Sequence, residues 1–141
     1  MGTHRILLVE DNPDDEALAC RALTGRVPGV EVEVVRDGAA AVARVLGSVP
    51  LPDIVLLDLQ LPRLGGLDVL RQVRAHPRTR ALPIVVLSAS PDASDVESSY
   101  LAGANSYVRK PTRYRDYTRA VQDLGHFWLE VNERVSVRET A

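Results

Sequence analysis

The stretch Ile54-Val55-Leu56-Leu57-Asp58-Leu59-Gln60-Leu61-Pro62 decides how the rest of the chain is arranged. A continuous apolar run ending on an acid is what a strand buried on both faces looks like where it leaves its sheet, and such a strand needs helices above and below it. Two further runs have the same form: Ile6–Val9 ends on Glu10-Asp11, and Ile84–Leu87 ends on Ser88. These three belong in the middle of a sheet. Val30-Glu31-Val32-Glu33-Val34 alternates instead, so one face is expected to meet water at an edge. The weaker segment Ser106–Val108 suits the opposite edge. Helical patterns fill the intervals. Asn12 is an N-cap with Pro13 at the first helical position, and Asp14, Asp15 and Glu16 complement the helix dipole, which explains them without a metal role. Ala39–Leu46, Gly66–Ala75, Pro91–Ala102 and Pro111–Leu124 complete the set. Short strands alternating with helices predict an α/β fold with a doubly wound parallel sheet.

The composition is compatible with this and excludes several functions. A chain of 141 residues, 45% hydrophobic and 26% charged, is one domain's worth and can bury a core. A net charge of −2 gives no electrostatic case for nucleic acid. One cysteine, Cys20, rules out a disulfide framework and a cysteine-based zinc site, fits a reducing compartment, and is expected to be a small apolar residue of the interior. The histidines His4, His76 and His126 have no ligand spacing. Ile6–Val9 is too short for a signal-peptide core or a membrane span, and Ile6 stands where a myristoylation signal carries Ser or Thr. The expectation is a soluble cytoplasmic protein with no room for a second module, its residues beyond Glu133 frayed. One count stands out: 16 of the 17 basic residues are Arg, and the single Lys is Lys110.

In an open parallel sheet the functional crevice lies at the carboxyl ends of the strands. Glu10 and Asp11 follow the first central strand, Asp58 the second, Ser88 the third, and Lys110 the last strand. Acids gathered on one rim repel one another unless a cation joins them. All-oxygen ligands favour a hard ion, Mg²⁺ first, with Ca²⁺ or Mn²⁺ as alternatives. A divalent ion and a lysine flanking one aspartate suit the transfer of a phosphoryl group onto that carboxylate.

Glu10-Asp11, Asp58-Leu59-Gln60-Leu61-Pro62, Ser88-Ala89, Lys110-Pro111, and Ala102-Gly103-Ala104 followed by Tyr107 together resemble the receiver domain of two-component response regulators, over residues 4–124. The resemblance implies a flavodoxin-like sheet in the order 2-1-3-4-5 with five helices. It implies that Asp58 accepts a phosphoryl group from a sensor histidine kinase. Asp11, Asp58 and the backbone carbonyl of Gln60 would ligate Mg²⁺, with Glu10 acting through water. Ser88 and Lys110 would hold the phosphoryl oxygens, and the Lys110–Pro111 bond would be cis. Ser88 would move toward the phosphate, Tyr107 would turn inward, and Gln60 and Ser90 would flank the hydrolysing water. Gly65, where the family commonly has Asp or Asn, and Ser88, the less usual hydroxyl, are minor departures. The segment His126-Phe127-Trp128-Leu129-Glu130 and the opening Glu10-Asp11-Asn12-Pro13 are further similar to single-domain regulators paired with bacterial phytochrome kinases.

All six aromatics, Tyr100, Tyr107, Tyr114, Tyr117, Phe127 and Trp128, lie between positions 100 and 128. Aromatics are enriched at interfaces. The expectation is a homodimer through the fourth helix, fifth strand and fifth helix, with the extension 125–141 contributing; the alternative is that Phe127 and Trp128 fold back to seal the core. Two other functions compete. A phosphohydrolase of the haloacid dehalogenase type also uses Asp, Mg²⁺ and Lys, but it has a second Asp two residues after its nucleophile, where this chain has Gln60. A pseudo-receiver scaffold would bind a partner without taking phosphate.

Overall fold

The structure is a computed structural model that describes residues 4–135. Five strands, β1 (Arg5–Val9), β2 (Glu31–Val35), β3 (Ile54–Leu57), β4 (Ile84–Ser88) and β5 (Ser106–Arg109), form one sheet in the order β2-β1-β3-β4-β5, every pair parallel. They alternate with α1 (Pro13–Arg26), α2 (Gly38–Leu46), α3 (Gly66–Ala75), α4 (Ala93–Leu101) and α5 (Tyr114–His126). The doubly wound order expected of the chain is therefore the observed one. The frayed ending expected beyond Glu133 lies largely outside the described residues.

The period-two geometry of a strand divides the core into two layers. Ile6, Leu8, Ile54, Leu56, Val85 and Leu87 join Ala19, Leu23, Tyr117 and Val121 on the side of α1 and α5. Leu7, Val9, Val55, Leu57, Ile84 and Val86 join Ala41, Val45, Leu70 and Val73 on the side of α2 and α3. The same parity carries past the strand ends. Glu10, Asp58 and Lys110 continue the positions that face α1 and α5, whereas Ser88 continues the other set.

Side-chain caps place two of the five helix starts. The Asn12 side chain accepts from Asp14 N and Asp15 N at 2.9 and 3.0 Å, and Asp37 caps α2 by accepting from Ala40 N at 2.7 Å. α4 and α5 begin later than expected, at Ala93 and Tyr114, because the residues after each proline turn before the helix forms. α4 has a single buried residue, Ser99, and is the least embedded helix of the five. The edge strand presents its glutamates to water as expected, Glu31 at 57% and Glu33 at 39% side-chain exposure, and each also meets an arginine: Arg44 Nε donates to Glu33 at 2.7 Å and Arg5 to Glu31 at 3.1 Å.

The chain beyond α5 continues as helix. α5 runs into a wider turn over Phe127–Val131, closed by Asn132 N donating to Phe127 O at 2.7 Å. Gly125 lets the two helices approach, since a Cβ there would lie 2.8 Å from Leu23 Cδ2. Leu129 is buried and Trp128 packs on the α1/α5 layer. Tyr117 is only 3% exposed and belongs to that core, which corrects its assignment to a partner surface: it points inward at the α1–α5 contact. Tyr100, Tyr114 and Phe127 remain 48%, 72% and 45% exposed. Among the described residues no helix is long and apolar enough to cross a membrane.

Candidate functional site

The carboxyl ends of β1, β3 and β5 converge on one ammonium group. Lys110 Nζ donates to Glu10 Oε1 at 2.7 Å, Asp15 Oδ2 at 2.9 Å and Asp58 Oδ2 at 3.0 Å. β5 lies two strand spacings from β3 and three from β1, at about 4.8 Å each, so the lysine and the acids must lean toward one another across the rim. The thin four-carbon stem of Lys110 supplies its share of that reach, and its three hydrogens match three acceptors. Arginine's planar fork would not distribute itself over three separate carboxylates. The solitary lysine in an arginine-rich chain thus has a physical reason.

Each carboxylate is held on its other side as well. Glu10 Oε2 accepts from Asn12 N at 3.2 Å, and Asp58 Oδ1 accepts from Gln60 N at 3.1 Å. Glu10 and Asp58 are 1% and 8% exposed, whereas Asp11 is open to solvent. Burial pushes the Glu10 carboxyl up to about 7, against the opposing pull of Lys110. Burial disfavours the charge of Lys110 too, but its bonds to Glu10 and Asp15 and the nearby Asp58 outweigh that and raise its pKa above the usual value. Burial likewise raises the phenol of Tyr117, whose hydroxyl donates to Asp15 O at 3.4 Å beneath the cluster.

Glu10, Asp11 and Asp58 each offer a carboxylate oxygen, all within 4.8 Å of one another. That all-oxygen set, partly open through Asp11, fits a hard divalent ion that retains water. The expected phosphoryl-binding hydroxyl, Ser88, is buried at the end of β4, where its oxygen accepts from Ser90 N at 3.2 Å. Lys110 N donates to Ser88 O at 2.8 Å, so the rims of β4 and β5 are tied. Tyr107 is half-buried against the α2/α3 layer, and its hydroxyl donates to Ser90 O at 2.8 Å. The Lys110–Pro111 bond expected to be cis is trans, as no cis peptide occurs among the described residues. The ordinary trans preference of about 0.5–1 kcal/mol at an X–Pro bond prevails there, because Lys110 reaches all three acids without a cis bond.

Asp15 is the residue that sequence reasoning missed. As the third residue of α1 it was explained by the helix dipole. A third-position acid normally bonds back to the N-cap N–H. Here Glu10 already occupies that N–H, and Asn12 caps the helix by itself, which releases Asp15 toward Lys110. The signal was the pairing of a strong N-cap with a surplus acid one turn from the sheet rim.

Comparison with known proteins agrees with this geometry. Residues 6–122 match the family described as response regulator receiver domain. The chain is 40% identical over 136 residues to the probable methanogenesis regulatory protein FilR2 of Methanothrix harundinacea, covering 90% of this chain and 84% of that one. It is 36% identical over 130 residues to the response regulator Rcp1 of Synechocystis, covering 89% and 88%. The Mn²⁺-bound form of Rcp1 superposes with a TM-score of 0.88 at 35% identity, covering 94% of this chain and 99% of that one. The phosphorylated cyanobacterial phytochrome response regulator RcpA superposes with a TM-score of 0.91 at 35% identity, covering 96% and 100%. With four motifs on one rim, three acids around one lysine and a match over most of its length, the chain belongs to the response regulator receiver domain family.

Proposed function

We propose that Asp58 accepts a phosphoryl group from a sensor histidine kinase of the phytochrome class, and that the receiver unit, residues 4–124, responds by reshaping the surface around α4, β5 and α5. The observation that carries this is the Lys110 ammonium held 3.0 Å from Asp58 and 2.7 Å from Glu10, beside a three-carboxylate oxygen cluster. An Asp58 carboxylate oxygen attacks the phosphorus as the bond from phosphorus to the kinase imidazole nitrogen breaks, and the imidazole leaves with the bonding pair. Lys110 keeps its protons throughout and turns a donor to the phosphoryl oxygens. Glu10, Asp11, Asp58 and the Gln60 carbonyl would hold Mg²⁺, which supplies charge neutralisation at the phosphoryl group when bound. Ser88 donates to the new phosphate from the α3/α4 side. Its movement draws on the loop that Tyr107 grips through Ser90. Gln60 and Ser90 flank the path of the water that later releases phosphate.

The homodimer is part of the same proposal, on the exposed Tyr100, Tyr114 and Phe127, with Trp128 shaping the surface from below. Incubation with Mg²⁺ and acetyl phosphate, followed by intact mass, tests the acceptor assignment. The expected result is a gain of one phosphoryl group that Asp58→Asn abolishes. No gain would favour the scaffold alternative, and turnover of a phosphate monoester would favour the hydrolase.

A further inference from the structure

Lys110 has three ammonium hydrogens and three carboxylate partners, yet the transfer chemistry calls on only one of those directions. When Asp58 carries a phosphoryl group, the hydrogen directed at Asp58 Oδ2 is the one that must turn to a phosphoryl oxygen. The other two remain on Glu10 and Asp15, at 2.7 and 2.9 Å. The three N–H bonds of an ammonium are tetrahedrally fixed, so anchoring two of them aims the third. Glu10 sits on the same strand end as the proposed ion site. Asp15 stands outside the oxygen cluster of Glu10, Asp11 and Asp58, on α1. Its carboxylate is 30% exposed, its backbone is pinned at the helix start by Asn12, and its carbonyl accepts from Tyr117 of α5. It is therefore a rigidly mounted acceptor.

We infer that Asp15 is a positioning residue: it holds the Lys110 ammonium so that one N–H points at the acceptor oxygen of Asp58. This rests on the acceptor assignment above. Charge alone would act in the opposite direction, since removing a carboxylate from an acidic rim eases the approach of a phosphoryl dianion. The two effects have opposite signs, which makes the inference testable.

The solitary lysine permits a direct readout, because ¹⁵N labelling of lysine side chains gives one ammonium signal from the whole chain. The full chain is compared with Asp15→Ala and Asp15→Asn. In Asp15→Ala the lysine signal is expected to shift and broaden as the group gains rotational freedom, while the amide spectrum of the sheet stays in place. Phosphorylation by acetyl phosphate with Mg²⁺ is expected to slow about tenfold, within the ~10²-fold that a 1 Å misplacement can cost. Asp15→Asn keeps an oxygen at the same reach, and should recover most of the rate and the sharp signal. A faster reaction in Asp15→Ala, or a loss that Asp15→Asn does not reduce, would overturn the inference, because lost charge rather than a lost anchor would then be acting. If the unaltered chain takes up no phosphoryl group, the acceptor assignment fails by itself. The lysine signal then decides the role of Asp15: altered in Asp15→Ala it upholds the anchoring, unaltered it removes it.

Discussion

Glu10 links proton binding, metal binding and stability, and the size of the effect can be worked from its position. The perturbation is a change of pH from about 8 to 5 in a chelating buffer, with Glu10→Gln as the control. Glu10 is 1% exposed, and burial lifts its carboxyl from 4.5 to about 7. Between those values the folded chain holds a proton that the unfolded chain has released. Stability therefore falls as pH rises through this window, and is recovered as pH falls. At about 1.4 kcal/mol per pH unit the swing is at most about 3 kcal/mol. Urea unfolding at several pH values measures it. The expected difference between the unaltered chain and Glu10→Gln is flat below about 4.5, opens between there and 7, and is flat above. Magnesium should reverse the trend, because the ion binds the deprotonated acids and stabilises the fold more at pH 8 than at pH 5. A metal-free protein whose stability climbs from pH 5 to 7 relative to Glu10→Gln would refute the account of Glu10 as a carboxyl raised by burial.

Three other outcomes are expected. Gly66→Ala places a Cβ 2.6 Å from Asp58 O and 2.7 Å from Leu59 Cα, both backbone atoms, so it should cost about 1–3 kcal/mol in urea unfolding and depress phosphorylation with it. Arg74 donates to Leu82 O at 2.7 Å, Gly103 O at 2.8 Å and Asn105 Oδ1 at 2.9 Å; Arg74→Ala should cost about 2–3 kcal/mol and speed amide exchange around residues 102–105, and Arg74→Lys should not restore either. Phe127→Ala should lower the sedimenting mass at micromolar concentration from dimer to monomer; equal monomer masses for both chains would remove the dimer.

The sheet was legible because its signals are local and physical. Runs buried on both faces have to be apolar throughout, and the acids that end them lie beyond the last paired residue, so strand ends and site residues came from the same letters. Asp58, Glu10, Asp11 and Lys110 were found in this way. What escaped depends on distances between elements. Tyr117 and Tyr114 are equally aromatic and three residues apart, and only the crossing of α5 over α1 decides that one is core and the other surface. Asp15 had a sufficient local explanation, and its bond to a lysine 95 residues away is a fact of packing. The glutamates of β2 do face water, and what their own strand does not show is that Arg44 of α2 reaches Glu33.

α4 buries one residue, Ser99, and is otherwise held by polar contacts such as Tyr107 N donating to the Tyr100 hydroxyl at 3.1 Å. Apolar burial is what makes an element expensive to shift, at roughly 25 cal/mol per Å², and α4 contributes little of it. Moving it would leave both hydrophobic layers largely intact, because only Ser99 of α4 is buried. Two placements separated by a few kcal/mol lie within what one differential contact to an added anion supplies. Of the five helices, α4 is thus the one whose displacement would cost the least apolar burial, with the sheet left as it is.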